Sequence, residues 1–207
     1  EEVALIEEAR KHGLKITAEA AIPHLIFSKK DYNKYGNLIK VNPSIKEEED
    51  REALWQAFKE EVIDILVSDH APHTLHEKQK NYEEAPSGIP SIEFFVPLLL
   101  TEAQKRNINF NLLMKTNEKA ASIFNLGKRG VLKKGYYADI IIIKKEKWKA
   151  TPPFLTKCHW SPFLDYEFSY KVLITFVNGI CVYNDGKFFE NNLLCGCLLY
   201  TSDAADE

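Results

Sequence analysis

Val62-Ile63-Asp64-Ile65-Leu66-Val67-Ser68-Asp69-His70-Ala71-Pro72-His73-Thr74 is the stretch whose reading decides the fold. An apolar run gives out into one acid and two imidazoles, and the end of a buried strand is where a parallel α/β barrel keeps its chemistry. The lead-in, residues 48–61, carries apolar side chains at Ala53, Leu54, Ala57 and Phe58, a helical spacing, so the unit reads helix, strand, polar loop. An Asp after a strand can simply start a turn. Two histidines within four residues shift the reading toward a site, and Asp69 becomes the foremost candidate for chemistry.

Working outward, residues 14–19 alternate apolar and polar, which predicts a strand ending in Glu19 and a loop carrying His24. This strand and the one over 62–68 are expected to be parallel neighbours, with Glu19 and Asp69 at the same edge. Residues 2–13 read as a helix closed by Gly13, and Ser28 caps a short helix that leads into the Asn42-Pro43 turn. The polar loop from His73 to Pro86 exceeds the usual connection, which favours a functional cover. Residues 91–102 are too apolar for an exposed helix, and a further helix spans 111–124. Strands follow, with hairpin signals at Asn178-Gly179 and Asp185-Gly186.

The 207 residues are 45% hydrophobic and 28% charged, ordinary globular composition, and the formal charge of −3 offers no basic surface for nucleic acid. No secretory or membrane-spanning segment is legible, so a cytoplasmic protein is expected, with Cys158, Cys181, Cys195 and Cys197 as free thiols.

Residues 68–74, followed by Glu77-Lys78 and Ala85-Pro86-Ser87-Gly88-Ile89-Pro90, resemble the last barrel strand and following loop of dihydroorotases of the amidohydrolase superfamily. Lys40-Val41-Asn42-Pro43 resembles that family's substrate loop, and Thr17-Ala18-Glu19 with Pro23-His24-Leu25 resembles the end of its preceding strand. Farther on, residues 116–121 are similar to a superfamily helix, and 130–135 with Ala138-Asp139-Ile140 to its small β-domain. Residues 157–163 and 177–179 continue the match in order. The resemblance implies an α/β chain: the C-terminal portion of a (β/α)8 TIM-type barrel over residues 1–126, its last two strands and their helices, then a small β-domain with a barrel-packing return over 127–196.

Opening or closing a cyclic amide needs an activated water, a polarised carbonyl and a group that carries a proton between oxygen and nitrogen; one or two Zn2+ ions can supply the first two. The resemblance implies that Asp69 touches metal and acts as general acid/base. It makes His73 a binder of the substrate's carboxylate or ring, Asn42 a partner for a dihydropyrimidine edge, and Ser87 and Gly88 backbone contacts to the ring. His70 reads as an orienting or packed imidazole. One branch of the family places a Glu and a His around an additional zinc, which makes Glu19 and His24 further metal candidates; Ala18 stands where that branch has cysteine and Ile22-Pro23-His24 where it has Pro-His-His, one histidine lost, so the expectation is a structural Glu and a His that orients its neighbours. The superfamily's first-strand His-x-His, its bridging ligand and its two later histidines have no counterpart here.

The implied function is therefore a zinc-dependent dihydroorotase, interconverting N-carbamoyl-L-aspartate and dihydroorotate in pyrimidine synthesis, with the chain itself a fragment lacking upstream ligands. The alternatives are an allantoinase- or dihydropyrimidinase-type cyclic amidase and an inactive homologue that scaffolds a partner. A small molecule is the expected ligand; a homodimer and association with aspartate carbamoyltransferase are the partners the resemblance admits. Residues 197–207 resemble a translated transposon-end adapter from sequencing libraries, so the native sequence is expected to stop near Cys195 or Gly196.

Overall fold

The computed structural model describes residues 1–189. The expected non-native tail and Cys195 and Cys197 lie outside the described residues. In chain order the elements are α1 (Glu2–Lys11), β1 (Glu19–Ala21), α2 (Ile22–Ile26), α3 (Tyr32–Tyr35), α4 (Glu48–Lys59), β2 (Ile65–Val67) and α5 (Leu75–Lys78). They continue with α6 (Phe95–Lys105), α7 (Phe110–Ile123), β3 (Ile140–Lys149), β4 (Glu167–Val177), β5 (Ile180–Asn184) and β6 (Lys187–Phe188).

β1 and β2 pair in parallel, Glu19 opposite Ile65 and Ala21 opposite Val67, with α4 in the crossover between them. The parallel pairing matches expectation; the extent of the first strand does not. Residues 14–18 form no strand, and Leu14 and Ile16 stand exposed, because the ladder starts only where a partner is on offer. That partner is Asp64, whose backbone N–H donates to the Ala18 carbonyl while its carboxylate accepts from the Ala18 N–H, each at 2.9 Å. Arg10 closes the clasp from α1, at 2.6 Å from the Asp64 carboxylate and 2.8 Å from the Val62 carbonyl.

The shared edge expected for Glu19 and Asp69 is corrected by the same register. Glu19 opposes Ile65, four residues before Asp69 and about 13 Å away along an extended chain. His24, three residues past Ala21, leaves the sheet at the end where Asp69 follows Val67.

α4 buries Trp55, Ala57 and Phe58, with Ala53 left outside, and the Trp55 indole donates to the Leu25 carbonyl at 2.9 Å. Every residue of α6 from Pro97 to Ala103 is buried, as its apolar run demands. The core continues past residue 127: Phe94 stacks on Phe168 at 5.5 Å and meets Phe154 and Phe163 edge-on, and Phe163 stacks on Phe27. Rings in such contact add about 0.5–1.5 kcal/mol each beyond their area, so residues 150–168 are held firmly against the α/β part. The Ser169 N–H also donates to the Thr101 hydroxyl on α6.

β3 to β6 form one antiparallel sheet in sequence order. Its tight turns fall at Asn178-Gly179 and Asp185-Gly186, all four residues at positive φ, the conformation that such hairpin pairs favour. The loop expected over 73–86 contains one short helix, α5, because Thr74 and Glu77 form a reciprocal capping box at its start.

Candidate functional site

The site is built where β2 ends. Asp69 has φ +47, a left-handed conformation uncommon outside glycine, and its carboxylate is exposed. Anchors on both sides hold it there. The buried Ser91 hydroxyl donates to the Ser68 carbonyl at 2.6 Å, and the Ala71 N–H donates to the Ile89 carbonyl at 3.2 Å. His70 is bound to the same segment: its Nδ1 accepts from the backbone N–H groups of Ser91 and Ile92 at 3.1 and 3.2 Å. That nitrogen therefore carries no hydrogen, and the ring orients the chain ahead of α6 rather than facing outward with Asp69.

His24 is half-buried, its Nε2 2.8 Å from the Pro43 carbonyl oxygen. A carbonyl only accepts, so Nε2 holds the hydrogen of this bond. The bond ties the end of β1 to the turn carrying Asn42, whose side chain is exposed.

His73 donates through Nε2 to the Ser87 carbonyl at 3.0 Å, and its own carbonyl accepts from the Trp160 indole at 2.7 Å. Gly88 sits at φ +128, and a Cβ there would lie 2.4 Å from the Ala71 carbonyl oxygen, so only glycine fits. Its N–H donates to the Lys40 carbonyl and its carbonyl accepts from Lys78, which engages both backbone groups within the protein. The close approach that this glycine permits is thus to Ala71.

Hydrogen bonds link these residues from end to end: His24 to Pro43, Lys40 to Gly88, Ser87 to His73, and Ala71 to Ile89. Glu19 lies outside that set. Lys78, Lys40, Ser91 and Trp160 belong to it, yet sequence reasoning did not single them out as site residues. A lysine in a polar loop reads as solvated, and nothing in its neighbours signals burial. Trp160 could have been suspected, since an indole N–H needs a partner when buried.

A catalytic zinc takes three or so protein ligands. At this edge the chain offers the Asp69 carboxylate and the His24 ring, and among the described residues no group of three or more His, Cys, Asp or Glu side chains is placed to hold a metal ion. The donor set is short, and no chemical step through a metal follows from these residues alone.

A parallel pair of strands whose far ends carry an acid and imidazoles, backed by helices and joined to an antiparallel sheet, defines an α/β protein with its candidate site at the strand ends. The amidohydrolase family model matches residues 2–182, and the chain belongs to the amidohydrolase family. Among curated relatives it is 37% identical over 187 residues to a dihydroorotase of Carboxydothermus hydrogenoformans and 35% identical over 187 residues to one of Clostridium acetobutylicum. Each alignment covers 88% of this chain and 44% of the relative, so the chain spans less than half their length. Among solved structures it is similar to the L-hydantoinase (dihydropyrimidinase) of Arthrobacter aurescens, TM-score 0.85 at 26% identity, over 90% of this chain and 43% of that one. A D-hydantoinase from Thermus sp., TM-score 0.81 at 22% identity over the same shares, shows the fold alone.

Proposed function

We propose that this chain is the C-terminal part of a zinc-dependent dihydroorotase that interconverts N-carbamoyl-L-aspartate and dihydroorotate. The observation that carries the reading is the hydrogen-bonded set joining His24, the Asn42 turn, the Ser87-Gly88 segment and His73 beside the exposed Asp69, at one end of the parallel strand pair. Dihydroorotase relatives at 35–37% identity support the substrate class.

In this reading residues 1–126 contribute the last two strands of the barrel, and 127–196 the small β-domain and its return. Asp69 takes a proton from the attacking oxygen and delivers it to the amide nitrogen as the ring opens, and reverses the transfer as it closes. Its left-handed backbone and anchored flanks hold in place the chain from which the carboxylate projects. Asn42 offers donor and acceptor to the alternating N–H and C=O edge of the ring, and His73 binds the substrate's carboxylate or ring. Ser87 and Gly88 shape the wall on the side of His73. Asp69 and His24 are the residues of this chain that would face a zinc ion, which would supply water activation and carbonyl polarisation.

Hydantoinases share the fold, and their substrates are also cyclic amides. Initial rates of the full-length protein with dihydroorotate, carbamoyl-aspartate, hydantoin and allantoin separate the readings. Turnover of dihydroorotate and carbamoyl-aspartate well above the other two is expected; a preference for hydantoin or allantoin would reassign the substrate.

A further inference from the structure

Lys78 sits on α5 in the middle of a polar surface loop, yet it is 1% exposed. Its ammonium makes three hydrogen bonds, all to backbone carbonyl oxygens: Lys40 at 3.0 Å, Pro86 at 2.9 Å and Gly88 at 2.9 Å. An ammonium has three N–H groups and no acceptor, so three carbonyls saturate it. A neutral amine has only two N–H groups and would turn its lone pair toward one of those oxygens. The three carbonyls come from the two segments that flank the site, Lys40 two residues before Asn42, and Pro86 and Gly88 on either side of Ser87. The Gly88 N–H closes the ring by donating to the same Lys40 carbonyl at 2.9 Å.

We propose that Lys78 is a positioning residue whose ammonium ties the Asn42 segment to the Ser87-Gly88 segment and so holds the substrate pocket in shape. The proposal rests on the reading of Asn42, Ser87 and Gly88 as substrate-binding residues.

At neutral pH the ammonium form predominates. Burial, and then the neighbouring Lys40 ammonium, push the Lys78 pKa down to about 8, while the three carbonyls favour the charged form. Of the charged and titratable groups around it, Lys40 is turned to the Tyr82 and Ala85 carbonyls and lies over the Tyr82 ring. The Glu77 carboxylate is taken by the Thr74 N–H and hydroxyl, and His73 faces the Ser87 carbonyl. The partners that Lys78 itself holds are uncharged.

The test uses the full-length protein and two readouts. Steady-state rates with dihydroorotate are measured at neutral pH for the parent and for Lys78→Met, which fills the space without donating. Loss of a charged hydrogen-bond donor predicts a KM about tenfold higher with kcat within about twofold. A variant with parental KM, or one that loses only kcat, overturns the proposal. A parent that turns over no dihydroorotate refutes the substrate assignment instead, and the tether is then judged by hydrogen exchange at the Gly88 amide. Strong protection is expected in the parent and weak protection in the variant. Equal protection in both proteins overturns the tether. If Lys78→Met does not fold, the parent's exchange decides: an unprotected Gly88 amide overturns it as well.

Discussion

The His24 imidazole stands 2.8 Å from the Pro43 carbonyl oxygen and joins the end of the first parallel strand to the turn that presents Asn42. One ring thereby joins two segments of the site. His24→Ala is expected to cost about 0.5–1.5 kcal/mol of stability, the net worth of one neutral hydrogen bond, read by urea unfolding. The same variant of the full-length protein should bind less zinc; an unchanged metal content would limit His24 to holding the turn.

Asn42 and His73 are assigned to binding and not to proton transfer, so their loss should appear in KM. Asn42→Ala and His73→Ala are each expected to weaken dihydroorotate binding by about 1–3 kcal/mol, the greater part at His73, whose partner is charged. Zinc stoichiometry should stay at the parental value. A fall in kcat without a rise in KM would assign these side chains a different part in the reaction.

Gly88 tests the packing beneath the site independently of any substrate. A methyl group there meets the Ala71 carbonyl oxygen at 2.4 Å on a backbone of φ +128, and both segments are held by hydrogen bonds that oppose relaxation. Gly88→Ala should destabilise the protein by about 2–4 kcal/mol through overpacking and backbone strain together. A denaturation midpoint equal to the parent's would show that the 71–88 contact is looser than drawn.

Lys78 makes stability depend on pH in a definite sense. Its folded pKa is about 8 against an ordinary 10.5, so below about 8 both states hold the proton and the cost of burying the charge is fully present. Between these values the unfolded chain binds more protons than the folded one, and stability from this group rises with pH. Compared with Lys78→Met in chemical denaturation at a series of pH values, the parent should gain ground across that window. A difference between the two that stays flat would contradict the depressed pKa.

Much of this architecture was legible because local patterns carried it. The helical spacing of 48–61, the apolar run of 91–102 and the Asn-Gly and Asp-Gly turns each state their structure within a few residues, and each forms. The alternation over 14–19 misled because a strand needs a partner as well as a pattern; pairing starts only at the Asp64 clasp, and this moved Glu19 away from the edge of Asp69. Asp69, His73 and Asn42 stood out through motif and chemistry, whereas the groups that hold them did not. Lys78 acts through carbonyl oxygens, which no side-chain pattern records, and Ser91 and Trp160 reach across 23 and 87 residues to the Ser68 and His73 carbonyls.

Asp69 carries the central claim, and its most direct test is turnover of full-length Asp69→Asn in both directions, dihydroorotate opening and carbamoyl-aspartate closing, with zinc content measured alongside. The amide fills nearly the same space but cannot take up the proton, so both rates should fall by at least about 100-fold, the usual contribution of a positioned acid/base. Parental rates in either direction, at parental zinc content, would contradict the account.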